Sequence, residues 1–273
     1  KKFYDLLTND LKIIFSQNLN FKKSDNVDSD ISFIIDNRLS NEDYKIEIDK
    51  NVIVTGGSYN AISMAKSSLI QMFKLKGNKT LILPKSKIYD KPDSSYRGLM
   101  IDLSRMWHSL KSIRNVIDLA SFYKIKYLQL HLSDDQAFVF PTDSFPNLPT
   151  PDRPYSKQDF IELVDYAKVR GVTIVPEIDV PGHSRQFIET YPEIFDVENG
   201  IKKSNVINIA NEKVYSALDQ IISEVAEIFY TSPYIHLGAD EAKLDLYKNV
   251  TEVKSFMNKN KLGTDVHELY RYF

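Results

Sequence analysis

Residues 234–243 read YIHLGADEAK. An apolar run stops at Gly238 and Ala239 and delivers two adjacent carboxylates, Asp240 and Glu241. Apolar residues ended by small ones predict a buried strand stopping at a turn. Two carboxylates at one turn resist joint ionisation, so one pKa is expected to rise, which keeps a carboxylic acid protonated near neutral pH. That is what a general acid needs. The same pair also suits the start of a following helix, where acidic side chains are favoured. The chain on either side decides between the two.

Upstream, the same rhythm recurs. Leu99 to Leu103 is an apolar run broken by Asp102, and Ile113, Ile117, Ala120 and Tyr123 then recur at helical spacing. Tyr127 to Leu132 (YLQLHL) predicts a second strand. A long connection from Ser133 to Tyr155 carries prolines at 141, 146, 149, 151 and 154, which exclude regular structure. Long loops in compact domains are usually functional. Ser156 and Asp159 form a capping-box pattern opening a helix that Gly171 stops. Val172 to Val175 predicts a third strand halted by Pro176, Val214 to Phe229 an amphipathic helix, and Tyr234 to Leu237 a fourth strand. Helical pattern resumes near Glu252 and again after Gly263.

Strands alternating with helices imply a parallel sheet, either doubly wound or a (β/α)8 barrel. In both, ligands bind at the carboxyl ends of the strands. Chemically capable residues fall at those ends: Arg105, then Asp134 and Asp135, then Glu177, Asp179 and His183, then Asp240 and Glu241. Each alone has a plainer reading as a surface charge, a turn cap or a core histidine. Their joint placement predicts an acidic site holding one arginine and one histidine.

Residues 1 to 92 read as a separate small α/β unit. Ile31 to Ile35, Tyr44 to Ile48, Val52 to Thr55 and Thr80 to Leu83 predict strands, and Ser58 to Phe73 a helix. Gly56-Gly57 before that helix lacks the further glycines and the Lys-Ser/Thr of a phosphate loop, so a plain turn is expected. Asp90 to Arg97 is a polar crossing, taken as the boundary between 1–92 and 93–273.

The 273 residues are 42% hydrophobic and 26% charged, an ordinary globular balance. A formal net charge of -2 makes no electrostatic case for nucleic acid or an anionic membrane. No apolar run has membrane-spanning length, and the opening KKFYDLLTNDLK is too polar for a signal peptide. Zero cysteines exclude disulfides, thiolate metal sites and cysteine nucleophiles, and leave the compartment open. His131, His183 and His236 lie near carboxylates, yet not at the helical spacing of zinc ligands, so no metal is expected. Glycoside hydrolysis fits an acidic cleft better, although adjacent carboxylates diverge and are awkward as an acid and nucleophile pair.

YRGLMIDLSR, YLQLHLSDDQ, VTIVPEIDVPGHS and YIHLGADE, in this order from Tyr96 to Glu241, resemble successive motifs of glycoside hydrolase family 20, the β-N-acetylhexosaminidases. VIVTGGSYNAISMAKSSLIQMF and DKPDSSYRG resemble the small α/β domain that precedes its barrel. The resemblance implies an α/β protein: a small α+β domain followed by an incomplete TIM (β/α)8 barrel, with about four βα units in this chain. It implies release of terminal β-linked GlcNAc or GalNAc from oligosaccharides or glycoconjugates by retaining, substrate-assisted catalysis through an oxazolinium intermediate, without a cofactor. The family is a known exception to the two-carboxylate rule. Glu241 would be the acid and then the base, and Asp240 would orient the acetamido N–H. Arg105 would bind sugar hydroxyls, Asp134 and His183 would support the acid, and Asp179 would act at one remove. A secreted, cell-surface or lysosome-like compartment is implied rather than cytoplasm. Alternatives are a lacto-N-biosidase of the same family, a non-catalytic carbohydrate-binding module, and a metal-dependent hydrolase.

Three positions depart from the family pattern. Ala239 replaces a glycine, a change tolerated if its φ is negative. Met106-Trp107 replaces a His-aromatic pair, and Ala137 follows DDQ where Gly-Trp is usual. Four strand-helix units are half of a barrel, so the remaining half, with its aromatic pocket walls and acetamido-binding tyrosine, is expected from the full-length protein. Little or no turnover is expected of the 273 residues alone.

Overall fold

The computed structural model describes residues 2–16, 29–77, 80–197 and 204–273. They form two compact units. One holds Lys1–Leu99, Lys111–Leu128 and Asp165–Thr173, and the other Met100–Leu110, Gln129–Val164 and Ile174–Phe273.

The first unit opens with helix α1 (Lys2–Phe15), which the sequence reading does not foresee. Strands β1 (Ile31–Ile35), β2 (Tyr44–Ile48) and β3 (Val52–Gly56) follow, then helix α2 (Tyr59–Met72). A two-stranded ribbon comes next, β4 (Lys74–Lys76) with β5 (Thr80–Ile82), and then β6 (Ser86–Asp90). The sheet order is β1-β3-β2-β6, with β1 parallel to β3 and the other pairs antiparallel. β2 alternates strictly. Tyr44, Ile46 and Ile48 are buried while Lys45 and Glu47 are exposed, as a strand with one covered face requires. The buried face packs on Ala61, Ile62, Ala65 and Leu69 of α2. Ser58 caps α2 by accepting from the Ala61 amide at 3.2 Å. Gly57 is a matter of close packing: a Cβ there would lie 1.9 Å from the Ser40 carbonyl oxygen. Helix α3 (Leu110–Phe122) also belongs to this unit, and Phe122 packs against Leu7, Leu11 and Ile70.

The predicted parallel sheet is present, and the carboxyl ends of its strands lie in the second unit. β7 (Gly98–Asp102), β8 (Tyr127–His131) and β9 (Thr173–Glu177) lie in that order. The Leu103 amide donates to the His131 carbonyl and the Leu132 amide to the Glu177 carbonyl, so all three strands end together. Helix α4 (Lys157–Lys168) starts with a reciprocal capping box: the Asp159 amide donates to Ser156 Oγ at 3.1 Å and the Ser156 amide to Asp159 Oδ2 at 2.8 Å. Short helices α5 (Arg185–Thr190) and α6 (Pro192–Phe195), the long α7 (Glu212–Ile228), and α8 (Thr251–Lys259) and α9 (Val266–Tyr272) complete the unit.

Two expectations about the strands need correction. β9 does not halt at Pro176 but runs through it to Glu177. The expected fourth strand, Tyr234 to Leu237, is reduced to one parallel bridge between Glu177 and His236. One residue explains both. The Pro176 carbonyl accepts from the His236 amide at 2.9 Å, and the Ile178 amide donates to the His236 carbonyl at 3.1 Å. Pro176 therefore faces the 234–237 segment, on the outer side of β9, where a missing N–H is tolerated. Having no N–H, it cannot donate to the Tyr234 carbonyl, so pairing stops after one bridge.

The proline-rich connection packs an aromatic core. Phe138, Phe140 and Phe145 are buried, and Phe138 and Phe145 meet Phe187, Tyr191 and Phe195 edge-on. Glu224 of α7 anchors its polar backbone. It accepts from Thr142 Oγ1 at 2.9 Å, from the Asp143 and Ser144 amides at 2.8 and 2.9 Å, and from Lys157 Nζ at 2.8 Å. No helix among the described residues is long and apolar enough to cross a membrane.

Burial would push the Glu224 carboxyl up, but Lys157, Ser144 and the two amides outweigh it and hold the pKa at about 2. A lowered carboxylate stabilises the fold above its unfolded pKa and loses that contribution as pH falls through the folded value. Glu224→Gln is expected to lower unfolding stability by about 2 kcal/mol at pH 7. Urea midpoints of the two proteins should converge as pH falls from about 4.5 towards 2.

Candidate active site

The six residues to which the family resemblance gives roles, Arg105, Asp134, Asp179, His183, Asp240 and Glu241, lie in the second unit. Asp134, Asp179 and His183 are buried, whereas Asp240 and Glu241 are exposed, with side-chain exposures of 68% and 78%.

Asp134 is the hub. Its Oδ2 accepts from Arg105 Nη2 at 2.6 Å and from His131 Nε2 at 2.9 Å. Its Oδ1 accepts from the Asp135 amide at 2.6 Å and faces His183 Nδ1 at 3.5 Å. The other edge of His183 meets the carboxylate pair, Nε2 lying 3.5 Å from Glu241 Oε2 and 4.0 Å from Asp240 Oδ2. A continuous line therefore runs from Arg105 through Asp134 and His183 to Glu241. Burial pushes the Asp134 carboxyl up, but His131, the Asp135 amide and Arg105 together hold it below the ordinary range.

Asp135 points elsewhere. It accepts from the Arg185 amide at 3.2 Å and from Asn205 Nδ2 at 3.1 Å, so it shapes the loop rather than the cleft. Arg105 is held from a second side by Asp102, whose Oδ2 lies 2.8 Å from Nη1 and whose Oδ1 accepts the Arg105 amide. The break that Asp102 makes in an apolar strand was its only signal in the sequence.

The carboxyl held high is Asp179. Burial pushes it up to about 7; the Ala239 amide opposes the rise and the Asp240 charge adds to it. Asp179 Oδ1 accepts the Ala239 amide at 3.1 Å, and Ser133 Oγ accepts the Asp179 amide at 2.8 Å. Asp179 was expected to act at one remove, and the raised carboxyl is this buried residue at the end of β9.

The backbone carrying the pair is strained. Gly238, Ala239 and Glu241 have φ of 64°, 70° and 52°, and His183 opposite them 48°. Such angles are uncommon for residues with a Cβ and cluster at functional sites. The condition of a negative φ at Ala239 is therefore not met. The residue is pinned at both ends instead: its N–H bonds Asp179, and its carbonyl accepts from the Tyr270 hydroxyl.

Among the described residues, three groups bring potential metal ligands within 4.8 Å: His131 with Glu177 and Asp179, Asp134 with Asp135 and His183, and Asp179 with His183 and Asp240. In the first, both ring nitrogens of His131 already face carboxylates at 2.9 Å. Both ring nitrogens of His131 are thus already engaged.

Residues 95–273 match the glycosyl hydrolase family 20 catalytic domain. The chain belongs to glycoside hydrolase family 20. Family 20 relatives are recognisable along most of it. A β-hexosaminidase of Vibrio furnissii is 30% identical over 256 residues, covering 83% of this chain and 41% of the relative. The human β-hexosaminidase subunit beta is 29% identical over 203 residues, covering 71% and 36%. Among solved structures, an exo-β-N-acetylglucosaminidase from Vibrio harveyi, in complex with N-acetylglucosamine, superposes with a TM-score of 0.86 at 27% identity. It covers all of this chain and 47% of its own. A β-N-acetylhexosaminidase from Bacteroides fragilis gives 0.86 at 28%, covering 99% and 56%. The chain spans less than half the length of the curated family 20 relatives it matches.

Two neighbouring substitutions are expected to act oppositely. A Cβ on Gly238 would lie 2.0 Å from Asp179 Oδ1, and φ there is positive. Gly238→Ala should destabilise by on the order of 2 kcal/mol or more. Ala239→Gly should relieve a left-handed alanine and raise stability by about 1 kcal/mol. Thermal or urea unfolding of both variants checks the pair of signs.

Proposed function

We propose that this chain carries the proton-transfer and sugar-binding side of an exo-acting β-N-acetylhexosaminidase that releases terminal β-linked GlcNAc or GalNAc. The observation that carries the reading is the placement of His183, 3.5 Å from both Asp134 and Glu241, with Arg105 on the opposite side of Asp134. This arrangement joins a guanidinium suited to sugar hydroxyls with a carboxyl suited to a glycosidic oxygen.

The reaction is proposed to run in two halves. Glu241 gives its proton to the glycosidic oxygen as the C1–O bond breaks, while the substrate's acetamido oxygen attacks C1. Asp240 accepts the acetamido N–H and stabilises the positive charge that spreads over the oxazolinium ring. Water then attacks C1, giving its proton to the Glu241 carboxylate, and the ring opens with overall retention. A sugar lying over Glu241 desolvates its carboxyl, which favours the protonated form a donor needs. His183 beside the carboxylate offers compensation once the proton has left. Asp179 accepts the Ala239 amide and so supports the turn from which Asp240 and Glu241 project.

The domain reading is likewise proposed: a small α/β domain over 1–92, and the first half of a (β/α)8 barrel over 93–273. Exposed apolar side chains on the two outer edges, Leu99 and Met100 on β7 and Leu237 beyond β9, support further barrel strands in the whole protein. The 273 residues alone are expected to turn over little or no substrate.

In the whole protein, Glu241→Gln should lower kcat by about 10² to 10⁴-fold by deleting the proton donor. Asp240→Asn should lower it through lost acetamido orientation. Hydrolysis of a chromogenic N-acetylglucosaminide measures both. Equal cleavage of the matching glucoside, which lacks the 2-acetamido group, would show that the substrate does not supply the nucleophile.

A further inference from the structure

We propose that His131 is held as a permanent imidazolium and positions Asp134, and that Glu177 keeps it so. The role deepens the glycosidase reading and, as far as turnover is concerned, rests on it.

The geometry carries the argument. His131 Nδ1 lies 2.9 Å from Glu177 Oε2, and Nε2 lies 2.9 Å from Asp134 Oδ2. A neutral imidazole has one N–H, so one of the two carboxylates would face a lone pair. Arg105 and the Asp135 amide favour Asp134 as a carboxylate and Gln129 does the same for Glu177, and two carboxylates at hydrogen-bond distance call for two N–H groups and hence a cation. The acidic groups around this ring come from every neighbouring strand end: Asp102 at the end of β7, Asp134 after β8, and Glu177 and Asp179 at the end of β9. Arg105 bonds Asp134 from its far side, and His236 Nδ1 faces Glu177 Oε1 at 2.9 Å. Burial disfavours the charge, but the bonds to Asp134 and Glu177 outweigh it and push the His131 pKa up to about 10.

The consequence falls on Asp134. His131 and Arg105 share its Oδ2, which leaves Oδ1 to the Asp135 amide and His183. Without the imidazolium, Oδ2 keeps Arg105 as its one fixed donor, and the carboxylate is freer to turn about the Asp135 amide bond that holds Oδ1. His183 would lose its partner and the arginine its setting. His131 is thus a positioning residue acting through Asp134, and Glu177 acts through His131. Gln129 steadies Glu177 by donating to the same Oε2 at 2.9 Å.

The chain has five histidines, so ring-nitrogen NMR of protein labelled with 15N-histidine reads the charge directly. The unmodified chain should show one imidazole with both N–H groups at pH 8.5, about two units above an ordinary histidine pKa. That signal should vanish in His131→Gln and should titrate nearer neutrality in Glu177→Gln. Absence of any doubly protonated imidazole at pH 8.5, or its survival in His131→Gln, overturns the proposal without need of activity. In the whole protein, His131→Gln should lower kcat/KM about 10- to 100-fold. Glu177→Gln should add an alkaline limb near neutral pH, as His131 now loses its proton, which a merely structural residue would not do. An unchanged pH profile in folded Glu177→Gln also overturns the proposal. A whole protein that hydrolyses no N-acetylhexosaminide overturns the glycosidase reading instead, while the NMR signal still decides the state of His131.

Discussion

Two buried carboxylates, Asp134 and Glu177, share one buried imidazole. Removing one partner of a buried ion pair typically costs about 3–5 kcal/mol, because the remaining charge has lost its water and its counter-ion. The strand ends must therefore come together in one register only. Successive side chains on a strand face opposite ways, so a slip of one residue in β8 or β9 would turn His131 or Glu177 away and strand the others. Apolar burial alone would not distinguish registers as sharply here, since β8 buries residues on both faces. The polar cluster specifies the alignment, and the alignment places Arg105, Asp134 and His183 at one end of the sheet.

A second constraint concerns the turn after His236. Gly238, Ala239 and Glu241 hold left-handed backbone angles that the chain would not adopt unaided. They persist because Asp179 and Tyr270 grip the two ends of Ala239 from different parts of the unit. Asp179 is itself held in an unfavourable place, buried and with a carboxyl pushed up to about 7. Strain and a poorly solvated carboxyl coincide at one turn. Stability is given up there, and the turn projects Asp240 and Glu241 into the cleft.

Much of this was legible in the sequence, because it depends on local pattern. Period-two alternation marked β2, helical spacing marked α3 and α7, and Ser156 with Asp159 announced the start of α4. The rule that ligands gather at carboxyl strand ends brought Arg105, Asp134, His183, Asp240 and Glu241 into one site. What escaped depends on partners distant in the chain. Pro176 read as a stop, since its tolerance rests on which neighbour its nitrogen faces. His131 and His236 were given no role, because nothing local shows that Glu177 lies between them. Glu224 drew no notice within an amphipathic helix, although it anchors a loop 80 residues earlier. The positive angle at Ala239 was not legible either, since the groups that hold it, Asp179 and Tyr270, are not neighbours in sequence.

The adjacent carboxylates of the YIHLGADEAK turn gain a different meaning from this. Adjacency suggested that each sets the other's proton affinity. In the folded chain both instead address His183, at 4.0 and 3.5 Å, and both stand exposed. Asp134 and Glu177 are the opposite case, buried and engaged by fixed donors. The same functional group is thus divided by partner count. Carboxylates locked by several donors keep their charge and hold geometry, whereas those left with one histidine and open solvent remain available to a ligand. Environment sets the two roles, as it does wherever two carboxyls do different work in one cleft. His183 is the joint between the two classes, since it faces Asp134 on one edge and the exposed pair on the other. Whatever displaces Asp134 must reach Glu241 through that ring.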